Sequence, residues 1–179
     1  MPETPGSNGL EGTTLVLGGA KSGKSMYAES LIEAAGGGIY LATATAGDEE
    51  MCRKIAAHRD RRGDGWETIE EPLEVAAALS RLAGDGRQRP VLLDCLTLWL
   101  SNLMHAGSDI DRSTIELETA LRAAPFPVVS VSNEVGGGII PDTELGRAFM
   151  DRAGILNQRI AQASDHVILV TAGIPQILK

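Results

Sequence analysis

The chain has 179 residues, close to the size of one domain, and leaves no room for a second catalytic domain. Its 43% hydrophobic and 22% charged residues lie near globular averages, which excludes wholesale disorder. A formal net charge of −8 with only 3% aromatic residues argues against nucleic acid as a partner, whether held by charge or by base stacking.

Residues 1–12 read as a loose tail ahead of a single domain over 13–179. The opening Met1-Pro2-Glu3-Thr4-Pro5 lacks the basic and apolar regions of a secretory signal. No apolar run reaches the length of a membrane span. The two cysteines, Cys52 and Cys95, have no metal or redox spacing and are expected as reduced thiols in a cytoplasmic protein.

Short β-branched apolar runs bounded by Gly or polar residues predict strands over 13–17, 39–43, 91–94, 127–132 and 167–171, with a further short strand at 67–70. Runs that are apolar on both faces suit a buried parallel sheet. Helices are predicted over 23–35, 48–62, 73–83, 96–105, 112–123 and 142–163. In the last of these, Leu145, Phe149, Ala153, Leu156 and Ile160 fall at helical spacing and form one apolar stripe. The alternation of strand and helix implies a single α/β domain, a mostly parallel sheet flanked by helices and joined by right-handed crossovers.

The sharpest local signal is Gly18-Gly19-Ala20-Lys21-Ser22-Gly23-Lys24-Ser25, which matches G-x-x-x-x-G-K-S/T between an apolar strand and a helix. Glycines let backbone N–H groups converge on phosphate oxygens, and the helix start adds positive potential. Lys24 would then reach the β- and γ-phosphates, and Ser25 would help hold Mg²⁺. Asp94 closes the run Val91-Leu92-Leu93 as a Walker-B acid does, although an acid after a strand also serves as an ordinary loop or cap residue.

Of three histidines, His166 adjoins the final apolar run and reads as structural, while His105 follows a helix whose C-terminus it can face. His58 stands in Arg53-Lys54-Ile55-Ala56-Ala57-His58-Arg59-Asp60-Arg61-Arg62, a basic stretch in an acidic chain. A solvated basic helix face accounts for that pattern. The functional alternative is an imidazole nucleophile attacking a nucleotide phosphorus, with arginines neutralising phosphate and favouring the neutral ring.

Taken in order, LVLGGAKSGKS at 15–25, YLATA at 40–44, MCRKIAAHRDRR at 51–62, WETIEEP at 66–72, LLDCLTLWLSNL at 92–103, VSNEVGGGIIP at 131–141, FMDRAGILNQRIA at 149–161 and VTAGIPQILK at 170–179 resemble one family. It is the bifunctional adenosylcobinamide kinase/adenosylcobinamide-phosphate guanylyltransferase family of cobalamin biosynthesis. The resemblance covers nearly all of Thr13 to Lys179. It implies a P-loop NTPase-like (RecA-like) α/β core and a homotrimer. It also implies phosphorylation of adenosylcobinamide by ATP or GTP, then transfer of GMP from GTP through a guanylyl-histidine.

By the same resemblance, His58 is the guanylylated residue. Nucleotide contacts fall on Gly18 through Ser25, on Ala42, Thr43 and Ala44, on Arg59, Asp60, Arg61 and Arg62, and on Glu70 and Asp94. The Asn133-Glu134-Val135-Gly136 element also matches, with a structural loop and a cobinamide contact as its alternatives. Lys21 stands where Arg is frequent in the family, which keeps the charge but changes the hydrogen-bond fork. Ala57 replaces a histidine that some relatives place beside the nucleophile. Two other functions fit parts of the pattern. One is a single-activity small-molecule kinase. The other is a GTP-dependent switch, for which Asp151-Arg152-Ala153-Gly154 fits D-x-x-G but no Asn-Lys-x-Asp motif is present.

Overall fold

A computed structural model describes residues 10–44 and 65–179. The predicted helix over 48–62, and with it His58, Arg59, Asp60, Arg61 and Arg62, lies outside the described residues. The strands are β1 (Thr13–Gly18), β2 (Gly38–Ala42), β3 (Trp66–Glu70), β4 (Val91–Asp94), β5 (Val128–Asn133), β6 (His166–Thr171) and β7 (Ile174–Ile177). The helices are α1 (Lys24–Ala34), α2 (Val75–Gly84), α3 (Leu96–Ala106), α4 (Ile110–Ala123) and α5 (Glu144–Ala163).

Among the described residues the seven strands form one sheet in the order β3-β2-β4-β5-β1-β6-β7. Every pair from β1 to β6 is parallel, and β7 runs antiparallel to β6. The alternation of side chains along each strand divides the core in two. Leu15 and Leu17 of β1, with Leu41, Leu93 and Val128, face the side that α2–α5 cover, where Trp99, Leu121 and Ile160 complete the larger cluster. Val16, Tyr40, Leu92, Val129 and Ile168 face the other side, where α1 contributes Ala28 and Ile32. Burial on both faces is why these strands lack the polar–apolar alternation of a solvated sheet.

Helix starts follow the local sequence. The Asp109 carboxylate accepts the Arg112 N–H at 3.1 Å and caps α4, and the Thr143 hydroxyl accepts the Gly146 N–H at 3.1 Å and caps α5. Two expectations need revision. Leu145 does not join the buried stripe of α5 but is 65% exposed, because the first turn lies ahead of the part of the helix that meets the core from Phe149 onward. The strand β7 was not expected; it follows β6 through a tight turn at Ala172 and Gly173.

Candidate nucleotide site at the carboxyl edge of the sheet

Strand register assembles the site. Glu70 of β3 pairs with Ala42 of β2, and Ala42 pairs with Asp94 of β4, so three residues distant in sequence stand level at the carboxyl edge. Across β5, Gly18 at the end of β1 pairs with Asn133. The phosphate loop and Asp94 therefore share the edge where ligands bind in open α/β sheets.

The loop leaves β1 at Gly18, where close packing demands glycine: a Cβ there would overlap the Ser22 hydroxyl and lie 2.6 Å from the Val170 carbonyl oxygen. Ser22 N–H donates to Gly19 O at 3.2 Å and closes the turn. The chain then enters α1 at Lys24. The Ser22 hydroxyl is buried without a hydrogen-bond partner among the described residues. Gly173 N–H donates to Ser22 O at 2.8 Å, so the turn between β6 and β7 buttresses the loop from behind.

Lys24 is 9% exposed, and its ammonium donates to Gly19 O at 3.1 Å. Burial lowers its pKa, while the Asp94 carboxylate pulls the other way. The Cys95 thiol is pushed up to about 11, chiefly by burial and then by Asp94. It is a packed neutral group and no nucleophile at neutral pH.

Around Asp94 the frame is tight. Tyr40 OH donates to Asp94 Oδ2 at 3.0 Å. Thr43, fully buried, donates its N–H to Asp94 O at 3.1 Å, gives its hydroxyl proton to Cys95 O at 2.8 Å and accepts the Cys95 N–H at 2.9 Å. Asn102 of α3 donates to Thr43 O at 2.8 Å and to Pro72 O at 3.1 Å, tying the ends of β2 and β3 together. Thr43 is thus an internal brace under the site, with its polar groups committed to its neighbours. Ala42 is buried at the strand end, Ala44 follows half-exposed, and Glu70 is exposed at the outer strand.

A second polar cluster supports the end of β5. Ser132 Oγ donates to Asn157 Oδ1 at 2.7 Å, Thr97 Oγ1 accepts the Asn133 N–H at 2.7 Å, and Asn157 Nδ2 donates to Asn133 O at 3.1 Å. Glu134 N–H donates to Gly18 O at 3.0 Å, which joins the Asn133-Glu134-Val135-Gly136 element directly to the phosphate loop. Tyr40, Thr97, Asn102 and Asn157 all lie in the segments that carry the family resemblance, but none is marked by local spacing as a functional residue, because each stands inside an apolar run or a helix. Conversely, Asp151–Gly154 lies within α5, so the D-x-x-G match is helical and not a switch loop.

Ser25 at the start of α1 and Asp94 at the end of β4 offer the hydroxyl and carboxylate oxygens that Mg²⁺ takes. Among the described residues no group of three His, Cys, Asp or Glu side chains stands together. Ser25 and Asp94 fit Mg²⁺.

The family model described as cobinamide kinase / cobinamide phosphate guanyltransferase matches residues 14–178. The chain is 46% identical over 168 residues to the bifunctional adenosylcobalamin biosynthesis protein CobP of Pseudomonas aeruginosa, covering 92% of this chain and 96% of the relative. It is 40% identical over 176 residues to the CobU protein of Salmonella typhimurium, covering 89% and 96%. Among solved structures, a KaiC-like protein of Pyrococcus horikoshii superposes with TM-score 0.51 at 11% identity, covering 88% of this chain and 70% of the other. The flagellar accessory protein FlaH of Methanocaldococcus jannaschii superposes with TM-score 0.51 at 11% identity, covering 94% and 78%. At such identities these two structures speak for the P-loop NTPase fold alone.

Proposed function

This chain belongs to the cobinamide kinase / cobinamide phosphate guanyltransferase family, and from that membership we propose that it carries out both reactions in adenosylcobalamin biosynthesis. It phosphorylates the aminopropanol hydroxyl of adenosylcobinamide with ATP or GTP. It then transfers GMP from GTP to the new phosphate, giving adenosyl-GDP-cobinamide and pyrophosphate.

In the kinase reaction the loop amides from Gly18 to Lys24 hold the phosphate chain, and the Lys24 ammonium neutralises charge on the β- and γ-oxygens. Ser25 and Asp94 hold Mg²⁺, which supplies further neutralisation of the phosphate oxygens. In the transferase reaction a ring nitrogen of His58 forms a bond to the α-phosphorus of GTP as the bond to pyrophosphate breaks. An oxygen of cobinamide phosphate then attacks that phosphorus, and the nitrogen–phosphorus bond breaks. Arg59, Arg61 and Arg62 neutralise phosphate, while Asp60, Glu70, Ala42 and Ala44 flank the nucleotide and Thr43 braces that stretch from beneath. The enzyme acts in the cytoplasm as a homotrimer.

The observation that best supports the reading is the alignment of Gly18, Asp94, Ala42 and Glu70 on one sheet edge, in a chain that matches the family from 14 to 178. The test uses Mg²⁺ and GTP labelled at the α- or the γ-phosphate, followed by denaturation. Acid-labile label retained from the α-position only, and lost in His58→Ala, is the expected result. Folded wild-type protein that binds GTP yet retains no α-label would leave a single-activity kinase.

A further inference from the structure

We propose that Tyr40 is a positioning residue for the reaction: its phenol fixes the Asp94 carboxylate in the orientation that receives Mg²⁺–nucleotide. This rests on the reading of Asp94 as the metal-side acid.

The geometry is set by strand register. Tyr40 pairs with Leu92 and Ala42 pairs with Asp94, so Tyr40 lies two residues before the level of Asp94 on the neighbouring strand. Two residues of strand rise about 6.6 Å. A tyrosine side chain laid along that direction places its hydroxyl beside the carboxylate, and the observed O–H···Oδ2 distance is 3.0 Å. The ring has little freedom to leave. Tyr40 is 8% exposed within the α1-side core, and it meets the Trp66 ring edge-on, with centroids 6.4 Å apart and planes at 72°.

The main chain of Asp94 is held independently, through Thr43 N–H to Asp94 O. Backbone and side chain of the acid are therefore fixed from the same strand, β2 and its extension. A phenylalanine would fill the same space and keep the Trp66 contact. A phenol here brings a polar group into the core that needs an acceptor, and the acceptor it has is the acid at the sheet edge. Partners that orient a metal-binding carboxylate commonly change metal affinity or activity by about 10- to 100-fold when removed.

The test compares wild type, Tyr40→Phe, Asp94→Asn and the double variant. Binding of a fluorescent GTP analogue is titrated with Mg²⁺, and the thermal midpoint and binding in EDTA are measured alongside. Tyr40→Phe is expected to raise the half-saturating Mg²⁺ concentration about tenfold or more. Binding in EDTA and the thermal midpoint should change little, and high Mg²⁺ should restore binding and turnover. In the Asp94→Asn background the same substitution should add no further shift. An unchanged Mg²⁺ half-point in Tyr40→Phe, with Asp94→Asn shifted, overturns this inference alone. Equal losses in EDTA and in thermal midpoint overturn it too, since they mark a purely packing role. If Asp94→Asn itself leaves the Mg²⁺ dependence untouched, the assignment of Asp94 fails and the inference falls with it.

Discussion

Asp165, outside the site, shows how one carboxylate can hold a strand in place. It accepts the Thr13 N–H at 2.7 Å and the Thr13 hydroxyl at 2.8 Å, and its own N–H donates to Thr13 O at 2.9 Å. The backbone N–H of Thr13, followed by its hydroxyl, holds the Asp165 carboxyl below its ordinary value. A depressed folded-state pKa contributes stability that is present above the unfolded value, about 3.9, and is lost as pH falls through the folded value. Asp165→Asn should therefore cost about 1 kcal/mol near neutral pH once solvent screening is allowed for. The gap to wild type should close in acid, and thermal midpoints measured from neutral pH downward check both statements. Nothing around Asp165 in the sequence announces this role, because its partner is 152 residues away. The loop that carries Lys24 and Ser25 is marked in the sequence, since a G-x-x-x-x-G-K-S/T run between a strand and a helix sits in one short window.

At the scale of the element, the hairpin of β6 and β7 was the part the sequence concealed. Its two-residue turn needs positive φ at both central positions, met by Ala172 at 51° and Gly173 at 79°. Alanine is a poor sign for such a turn, and Pro175 in the following strand argues against a strand interior. The strand persists because β7 is an edge: its four residues are exposed, and Pro175, lacking an N–H, costs it little there. Gly173→Ala should destabilise the protein by about 1 kcal/mol through left-handed strain. Strain that displaces this turn should also weaken nucleotide binding, because the Gly173 N–H that supports Ser22 O of the phosphate loop moves with it. Ala172→Gly relieves the same strain and should leave stability unchanged or raise it. Denaturant midpoints and GTP titrations of the two variants separate these outcomes.

For the molecule as a whole, the sheet order carries the function. Strands β4, β5 and β1 are neighbours though far apart in sequence, and this brings Asp94 to the phosphate loop. Large apolar side chains remain exposed at Ile139 and Ile140, at Leu145, and along β7 at Ile174 and Ile177. These are the large apolar side chains that the proposed trimer has available to bury. The proposed trimer should appear in light scattering as three times the 18.8 kDa chain mass, and it should resist salt if apolar burial drives it. A mass equal to one chain in the active protein would reject the trimer.

The sequence by itself determined the α/β class, six of the seven strands, the five described helices and the phosphate loop. Each of these depends on periodicity or spacing within a short window, where local sterics and burial act directly on neighbouring residues. The tertiary structure alone decided which strands adjoin, and with that the level placement of Glu70, Ala42 and Asp94. It also decided the use of Thr43 and Asn102 as braces and the reach of Tyr40 to Asp94. Those features depend on side chains dozens of residues apart meeting across hydrogen-bonded strands, and no local pattern encodes which strand will lie beside which.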